Sequence, residues 1–416
     1  MWQVTHFLRI SVWTTLIVQA LIFAPVCTDK GAAMAADTSE VASDDDGFAA
    51  WRQAFRTRAL AAGIPGSVFD AAYRDVKLNT RVLELDRSQS EFTKTVGEYI
   101  EQTVPQARIA AGKRMAKRHK TVLADIERLF GVDGRVVLGI WGIETNFGGF
   151  MGGIGVIESL STLAFDGRRQ AWAERELITA LGILAKGDTQ ATEMEGSWAG
   201  AMGHTQFMPT SYEAYAVDLT GDGRRDVWSD DPSDALASTA NYLAVHGWIY
   251  GQPWGVEVKL PDRFDFSTAN IKPGRPVSYW HTVGVRQIDG SKIPNYGHAG
   301  LWLPQGARGP AFAIFHNFYV ITRYNRANVY ALAVAHLGDR IYGGAKIATK
   351  WPPAERPLSR AEKRRMQQML TDRGHDTFGA DGLVGPNTIA AIRAFQREQG
   401  LTPDGHPSLD LLRRLQ

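Results

Sequence analysis

The chain has 416 residues, 44% of them hydrophobic, enough for a sizeable core and two or three domains. Lysine and arginine total 46 against 44 acids, a net charge of +2, which excludes a strongly basic nucleic-acid binder and an acidic disordered chain. One cysteine, Cys27, excludes an intrachain disulfide and a thiolate cluster for zinc or iron–sulfur. The first element is a sorting signal. Ser11 to Val26 carry no charge, a run short for a spanning helix and right for the apolar part of a signal peptide. Ala33-Met34-Ala35 offers a cleavage site, so residues 1–35 are expected to direct export. Cys27 leaves lipid attachment open, and the segment leaves an uncleaved anchor open.

Residues 36–47, with the acidic Thr38–Asp46, read as a flexible leader. Phe48, Trp51, Phe55 and Leu60 then recur at helical spacing. Gly63-Ile64-Pro65 breaks the chain, and Ser67 starts another helix. Arg108 to Phe130 predicts one long basic amphipathic helix ending before Gly131. Val136 to Phe147 is largely apolar and reads as buried. Helices are predicted at Ile157–Leu163 and at Trp172–Lys186, the second ended by Gly187. Between Tyr250 and Pro310 the texture changes to glycine, proline and short β-like pieces, Val256–Leu260 and Pro276–Trp280. Helical pattern returns at Tyr330–Leu337, and residues 350–357 form a proline-rich linker.

Residues 358–416 form a separate small unit. Arg360–Arg373 is amphipathic, Asp381-Gly382 and Gly385-Pro386 make turns, and Pro386 opens a helix running to Glu398. Asp404-Gly405 turns again, and Leu409 and Leu412 mark a last helix. Helix, DGLVGPNT turn, helix with AIRAFQ, then GLTPDG resembles a three-helix peptidoglycan-binding domain. A plain helical bundle used for packing is the alternative.

The segment of most chemical interest is Trp141-Gly-Ile-Glu144-Thr-Asn-Phe-Gly148. Glu144 ends an apolar run, where desolvation and the negative end of the helix dipole both raise a carboxyl pKa. A carboxyl protonated near neutral pH suits a general acid. Glu144 alone also reads as a helix-end residue paired with an arginine. A second segment, Gly196-Ser197 through Gln206 to Tyr212, combines small residues with amide and hydroxyl groups. A third, Asn317 to Tyr330, holds Tyr324, Asn325 and Tyr330 for polar and stacking contacts.

IETNFG, GSWAGAMGHTQFMPTSY and ITRYN, in this order, resemble the membrane-bound lytic transglycosylase B family. The resemblance covers roughly Phe48 to Gly344, places the catalytic domain at residues 48–349 and implies a mainly α fold. A lysozyme-like catalytic domain carries a small irregular β segment, and the three-helix C-terminal domain follows it. It implies cleavage of the β-1,4 bond between N-acetylmuramic acid and N-acetylglucosamine in periplasmic peptidoglycan, forming 1,6-anhydromuramic acid. Glu144 would be the single catalytic acid/base. Ser197, Gln206, Tyr242, Tyr324, Asn325, Tyr330 and Tyr99 would line the substrate site. Trp198 and His204 are departures. Peptidoglycan strands are the expected partner, with cell-wall synthesis or secretion complexes open, and a monomer is expected. A hydrolytic muramidase and a non-catalytic peptidoglycan-binding scaffold are the other readings.

Asp218-Leu-Thr220-Gly-Asp222-Gly223-Arg224 resembles the start of an EF-hand loop, with oxygens at Asp218, Thr220 and Asp222 and the Arg224 carbonyl. Relatives close such a loop with a later aspartate, which matches Asp234; Asp230 and Asp231 compete. No cofactor is needed for the reaction. The loop is read either as a structural calcium site or as a metal-free Asx-rich turn.

Overall fold

A computed structural model describes residues 38–88, 94–272, 274–353 and 355–416. The expected signal peptide, with Cys27, lies outside the described residues. Among those residues no helix is long and apolar enough to cross a membrane.

The first helix runs Thr38–Ala61. The end of the expected flexible leader is therefore its N-terminal part. No proline interrupts the stretch, and extending a helix already anchored by the buried Phe48 and Phe55 costs little per residue. The single helix expected over 108–130 is two, Gln106–Arg118 and Lys120–Phe130, with a turn at His119. Both pack on Gly134–Thr145. One straight rod of their combined length would overrun that shorter helix.

Gly134–Thr145 is the axis of the main core. Val136, Val137, Leu138, Ile140 and Trp141 are all buried, each worth about 1.5–3 kcal/mol relative to exposure. It crosses Asn328–Ile341 at very short range. A Cβ on Gly139 would lie 2.3 Å from the Val334 carbonyl oxygen, and one on Gly338 would lie 2.4 Å from that of Arg135. Glycine on each helix thus lets one backbone rest against the other. This crossing carries Tyr330, at the start of the second helix, to Glu144 at the end of the first.

A five-stranded antiparallel sheet covers the changed-texture segment. Its order is Arg275–Pro276, His298–Trp302, Ala311–Ile314, Gly255–Lys259 and Arg286–Gln287. Gly255 and Gly300 both pair with Ile314. The β piece expected at Pro276–Trp280 is instead a short helix, Val277–Thr282. Helical spacing puts Val277 and Trp280 on one face, and both are buried in the sheet's own core.

The C-terminal unit has helices Arg360–Asp372, Pro386–Glu398 and Leu409–Arg414 around Met366, Leu370, Ile392, Phe395 and Leu412. Its two Asp-Gly turns repeat one device. Gln367 donates to the Asp381 carboxylate and accepts from the Gly382 amide; Gln396 does the same with Asp404 and Gly405. The second turn also docks the unit. Asp404 accepts from the Ala307 amide at 2.9 Å, and Arg393 donates to the Ala269 carbonyl at 2.8 Å. On the linker, Trp351 packs on Gly97, where a Cβ would lie 2.7 Å from the indole.

Candidate active site

Glu144 sits on the last turn of its helix and is 5% exposed. Burial pushes its carboxyl up to about 7, and the phenol of Tyr330, donating at 2.5 Å, pulls it back only in part. The helix C-terminus acts in the same direction as burial. The chain then turns through two non-glycine residues with left-handed backbone, Asn146 (φ 52) and Phe147 (φ 63). Gln206 (φ 56) is a third. Strained backbone of this kind persists only where surrounding contacts over-determine it.

Those contacts centre on His204. Thr145 donates to the His204 carbonyl at 2.6 Å and accepts from the Gly148 amide at 3.0 Å. The Trp141 indole donates to His204 Nδ1 at 3.1 Å, and Nε2 donates to the Ser229 carbonyl at 2.7 Å. Two partners fix the neutral Nε2–H tautomer, and burial lowers the pKa of the ring. His204, Trp141 and Thr145 are functional neighbours that motif reading missed. Their signal was position: Thr145 follows Glu144, and Trp141 is one turn before it.

Tyr324, Tyr242, Gln206 and Asn325 line one cavity of about 100 Å³, with Phe207, Met208 and Ser211. Tyr324 donates to the Thr205 carbonyl and Tyr242 to that of Arg323, each at 2.6 Å. Their rings meet edge to face at 5.0 Å, and Tyr242 stacks on His246 at 4.1 Å. Gln206 is buried and donates to the carbonyls of Met151 and Gly203. Asn325 accepts from the Ala327 amide. Burial, followed by the Glu144 charge, holds the phenols of Tyr324 and Tyr330 far above their ordinary range. The same two causes push Tyr99, on helix Val96–Thr103, up to about 12. The structure therefore brings Tyr330 into contact with Glu144 and sets Tyr99 and Tyr324 within reach of its charge. Ser197 is engaged otherwise: its hydroxyl oxygen accepts from the Ala199 and Ala201 amides, shaping its own loop. Trp198 lies under the Arg169 guanidinium at 5.9 Å.

In the acidic loop, oxygens of Asp218, Asp222 and Asp234 lie within 4.8 Å of one another. Such an all-oxygen cluster fits a hard cation. Thr220 joins it by donating to Asp218 at 3.2 Å, while Arg224 contributes an amide that donates to Asp222 at 2.9 Å. Asp234 is 2% exposed and accepts from the amides of Leu219, Thr220 and Asp226. Of the three candidates to close the loop, it alone reaches the cluster.

A buried carboxyl raised to about 7, within electrostatic reach of Tyr324 in the aromatic cavity, has the chemistry of a general acid for glycosidic cleavage. The sequence model of the transglycosylase SLT domain matches residues 47–339, and that of a peptidoglycan binding domain matches residues 359–415. The chain belongs to the transglycosylase SLT family. It is 34% identical over 227 residues to membrane-bound lytic murein transglycosylase B of Escherichia coli (strain K12), covering 51% of this chain and 58% of that protein. It thus spans less than two thirds of that relative. Among solved structures it resembles SltB3 from Pseudomonas aeruginosa in complex with NAG-anhNAM-pentapeptide. Identity is 47% and the TM-score 0.85, over 88% of this chain and 99% of that one. It also resembles the Escherichia coli lytic transglycosylase Slt35 in complex with calcium. Identity there is 29% and the TM-score 0.61, over 70% and 92% of the two chains. The mainly helical, lysozyme-like fold is thereby established.

Proposed function

We propose that the chain is a lytic transglycosylase that cleaves the bond between N-acetylmuramic acid and N-acetylglucosamine in peptidoglycan and releases 1,6-anhydromuramic ends. One observation carries the reading: Glu144 is buried, holds its proton to about pH 7, and has Tyr330 as its hydrogen-bond partner. The carboxyl donates its proton to the glycosidic oxygen as the C1–O bond breaks. The muramic acetamido oxygen bonds to C1, forming an oxazolinium. Glu144, now an anion steadied by the Tyr330 phenol, takes the proton from the muramic C6 hydroxyl. The C6 oxygen closes on C1, the acetamido oxygen leaves, and the acid is regenerated. No water is consumed.

In this reading Tyr324, Tyr242 and Tyr99 contact the sugar rings, while Gln206 and Asn325 shape the cavity wall. Ser197 has an O–H hydrogen that its loop does not use, available to the acetamido group or the C6 hydroxyl. Residues 48–349 form the catalytic unit, and 358–416 hold the enzyme to its polymer. SltB3 was captured with pentapeptide-bearing fragments; we extend this to peptide-bearing strands as the substrate here. Export by residues 1–35 places the enzyme in the periplasm. Calcium binds the Asp218, Asp222 and Asp234 cluster as a structural ion, a reading supported by the calcium complex of Slt35.

Digestion of purified sacculi, with the products weighed, tests the proposal. Anhydro ends lack the elements of one water relative to hydrolytic ends. Glu144→Gln should lower their release by at least about a thousandfold and leave the fold intact. Hydrated ends from the wild type, or full activity in the variant, would sink it.

A further inference from the structure

A second, larger cavity lies between the catalytic unit and the C-terminal unit. Its volume is about 320 Å³, within the range of small-ligand sites, about 300–1,000 Å³. One wall is Tyr99, with Ala327 and Val329 from around the start of the Tyr330 helix. Pro352, Pro353, Glu355, Arg356 and Pro357 of the linker also line it, with Leu358, Lys363 and the His406–Ser408 turn of the C-terminal unit. The cavity therefore shares Tyr99 with the surroundings of Glu144, while its far side belongs to the unit matched by the peptidoglycan binding domain.

Its charge is one-sided. Lys94, Arg308, Arg356 and Lys363 face Glu355, four cations to one carboxylate. Two of the cations are engaged: Arg356 makes a two-pronged pair with Glu362, and Lys94 donates to Gln102. Among the described residues, the side chains of Arg308 and Lys363 make no hydrogen bond or ion pair. A guanidinium and an ammonium without protein partners, the first exposed and the second half-buried, suit an anionic group with several oxygens when they line one cavity, and arginine suits a carboxylate above all.

We infer that this interdomain cavity binds the carboxylates of the stem peptide borne by the glycan strand, through Arg308 and Lys363. The inference rests on the peptidoglycan substrate proposed above. A stem hangs from the muramic residue, so a strand lying at Glu144 carries peptide beside it, and the shared Tyr99 wall leads from one site to the other. The rest of the lining, with its prolines, Val329 and Leu358, suits the apolar parts of a short peptide. The C-terminal unit then completes a substrate subsite and does more than tether the enzyme.

The test uses two substrates, soluble glycan strands with intact stems and the same strands stripped of peptide by an amidase. For the full-length Arg308→Ala/Lys363→Ala variant, kcat/KM should fall about tenfold on peptide-bearing strands, chiefly through KM. On stripped strands it should stay within about twofold of wild type. Arg308→Glu should lose more than Arg308→Ala on peptide-bearing strands only. Equal losses on both substrates, or none on either, overturn the inference. Calorimetric binding of both strand types to Glu144→Gln protein, with and without the two substitutions, keeps the question separate from the chemistry. A wild type that makes no anhydro ends refutes the proposed activity, yet this binding difference still decides the cavity's role.

Discussion

Glu144 and Asp234 are both acids buried in the same catalytic unit, 5% and 2% exposed. They differ in what surrounds the carboxylate. Asp234 accepts from three backbone amides, at 2.8, 3.1 and 3.0 Å. Glu144 accepts from one phenol. Both acids end above their ordinary value: burial raises each, and at Asp234 the Asp218 charge adds to it while the amides of Thr220, Leu219 and Asp226 oppose, whereas at Glu144 only Tyr330 opposes. Glu176 resembles Asp234: it is buried and accepts from the amide and the hydroxyl of Thr210, each at 2.9 Å. Burial alone therefore does not mark a proton donor. The number of fixed donors sets how strongly burial's upward push on a carboxyl is opposed: by one phenol at Glu144, by two donors at Glu176 and by three amides at Asp234.

The largest effect is expected from the loss of one oxygen at Asp234. Asparagine retains one acceptor oxygen but presents an NH₂ group where the carboxylate received an amide hydrogen. With at least one buried amide left unsatisfied, Asp234→Asn should cost about 2–4 kcal/mol, read as a fall in the melting temperature and denaturant midpoint of the catalytic unit. Specific activity of the folded fraction at low temperature should stay close to wild type. An unchanged melting curve would mean that the three amides find other partners and that the carboxylate is not what holds the loop.

Glu144 supplies the opposite sign. Its folded pKa of about 7 lies above the ordinary 4.5. Below pH 4.5 both folded and unfolded states are protonated, and burial of the acid has no ionic penalty. Between 4.5 and 7 the unfolded chain releases the proton while the folded one keeps it, so stability falls as pH rises. Above 7 the full penalty stands, on the order of 3 kcal/mol. Glutamine carries no such penalty. Glu144→Gln should therefore gain stability over wild type from pH 5 to 8, and match it at pH 4. A constant difference across that range would show that the acid is not held protonated by its surroundings. The same titration sets activity, which should decline above pH 7 as the acid loses its proton.

Much of this site was legible in the sequence because its pieces are local. The IETNFG segment places Glu144 at the end of an apolar helix, and that pattern alone predicts a raised pKa. The partner was less legible: Tyr330 stands 186 residues away, and only the Gly139–Gly338 crossing brings it in. The role of His204 was hidden for the same reason, since its bonds run to Trp141, Thr145 and Ser229. Ser197 shows the converse. Its place in a glycine-rich segment suggests a substrate contact, and the structure adds what the segment did not show, a hydroxyl oxygen that accepts from the Ala199 and Ala201 amides of its own loop. The helix at Val277–Thr282 was misread because β-branched and aromatic residues suit either state, and burial of Val277 with Trp280 chose between them. The two Asp-Gly turns of the C-terminal unit were visible, whereas the use of Asp404 for docking depends on a loop 97 residues away.

The smallest effect concerns the cation. Asp218 already accepts from the Gly221 amide at 2.6 Å, the Gly223 amide at 2.8 Å and the Thr220 hydroxyl. Those bonds and the Asp234 anchor shape the loop without help, so calcium has little folding to drive. Its contribution reduces to mass action on a preformed site. For a weak site with Kd of about 1 mM, 10 mM calcium adds about 1.4 kcal/mol, a shift of a few degrees in melting temperature. Among the described residues the Asp222 carboxylate accepts only from the Arg224 amide. Asp222→Asn should thus remove the calcium response while leaving the melting temperature in chelator nearly unchanged, the reverse of Asp234→Asn, which should lower it in both conditions. If calcium produces no shift in wild type, the three carboxylates are a hydrogen-bonded turn and the distinction between an exposed ligand and a buried anchor has no consequence for metal. If Asp222→Asn melts as low as Asp234→Asn, the exposed carboxylate is part of the scaffold, and the contrast drawn from the number of fixed donors fails at this loop.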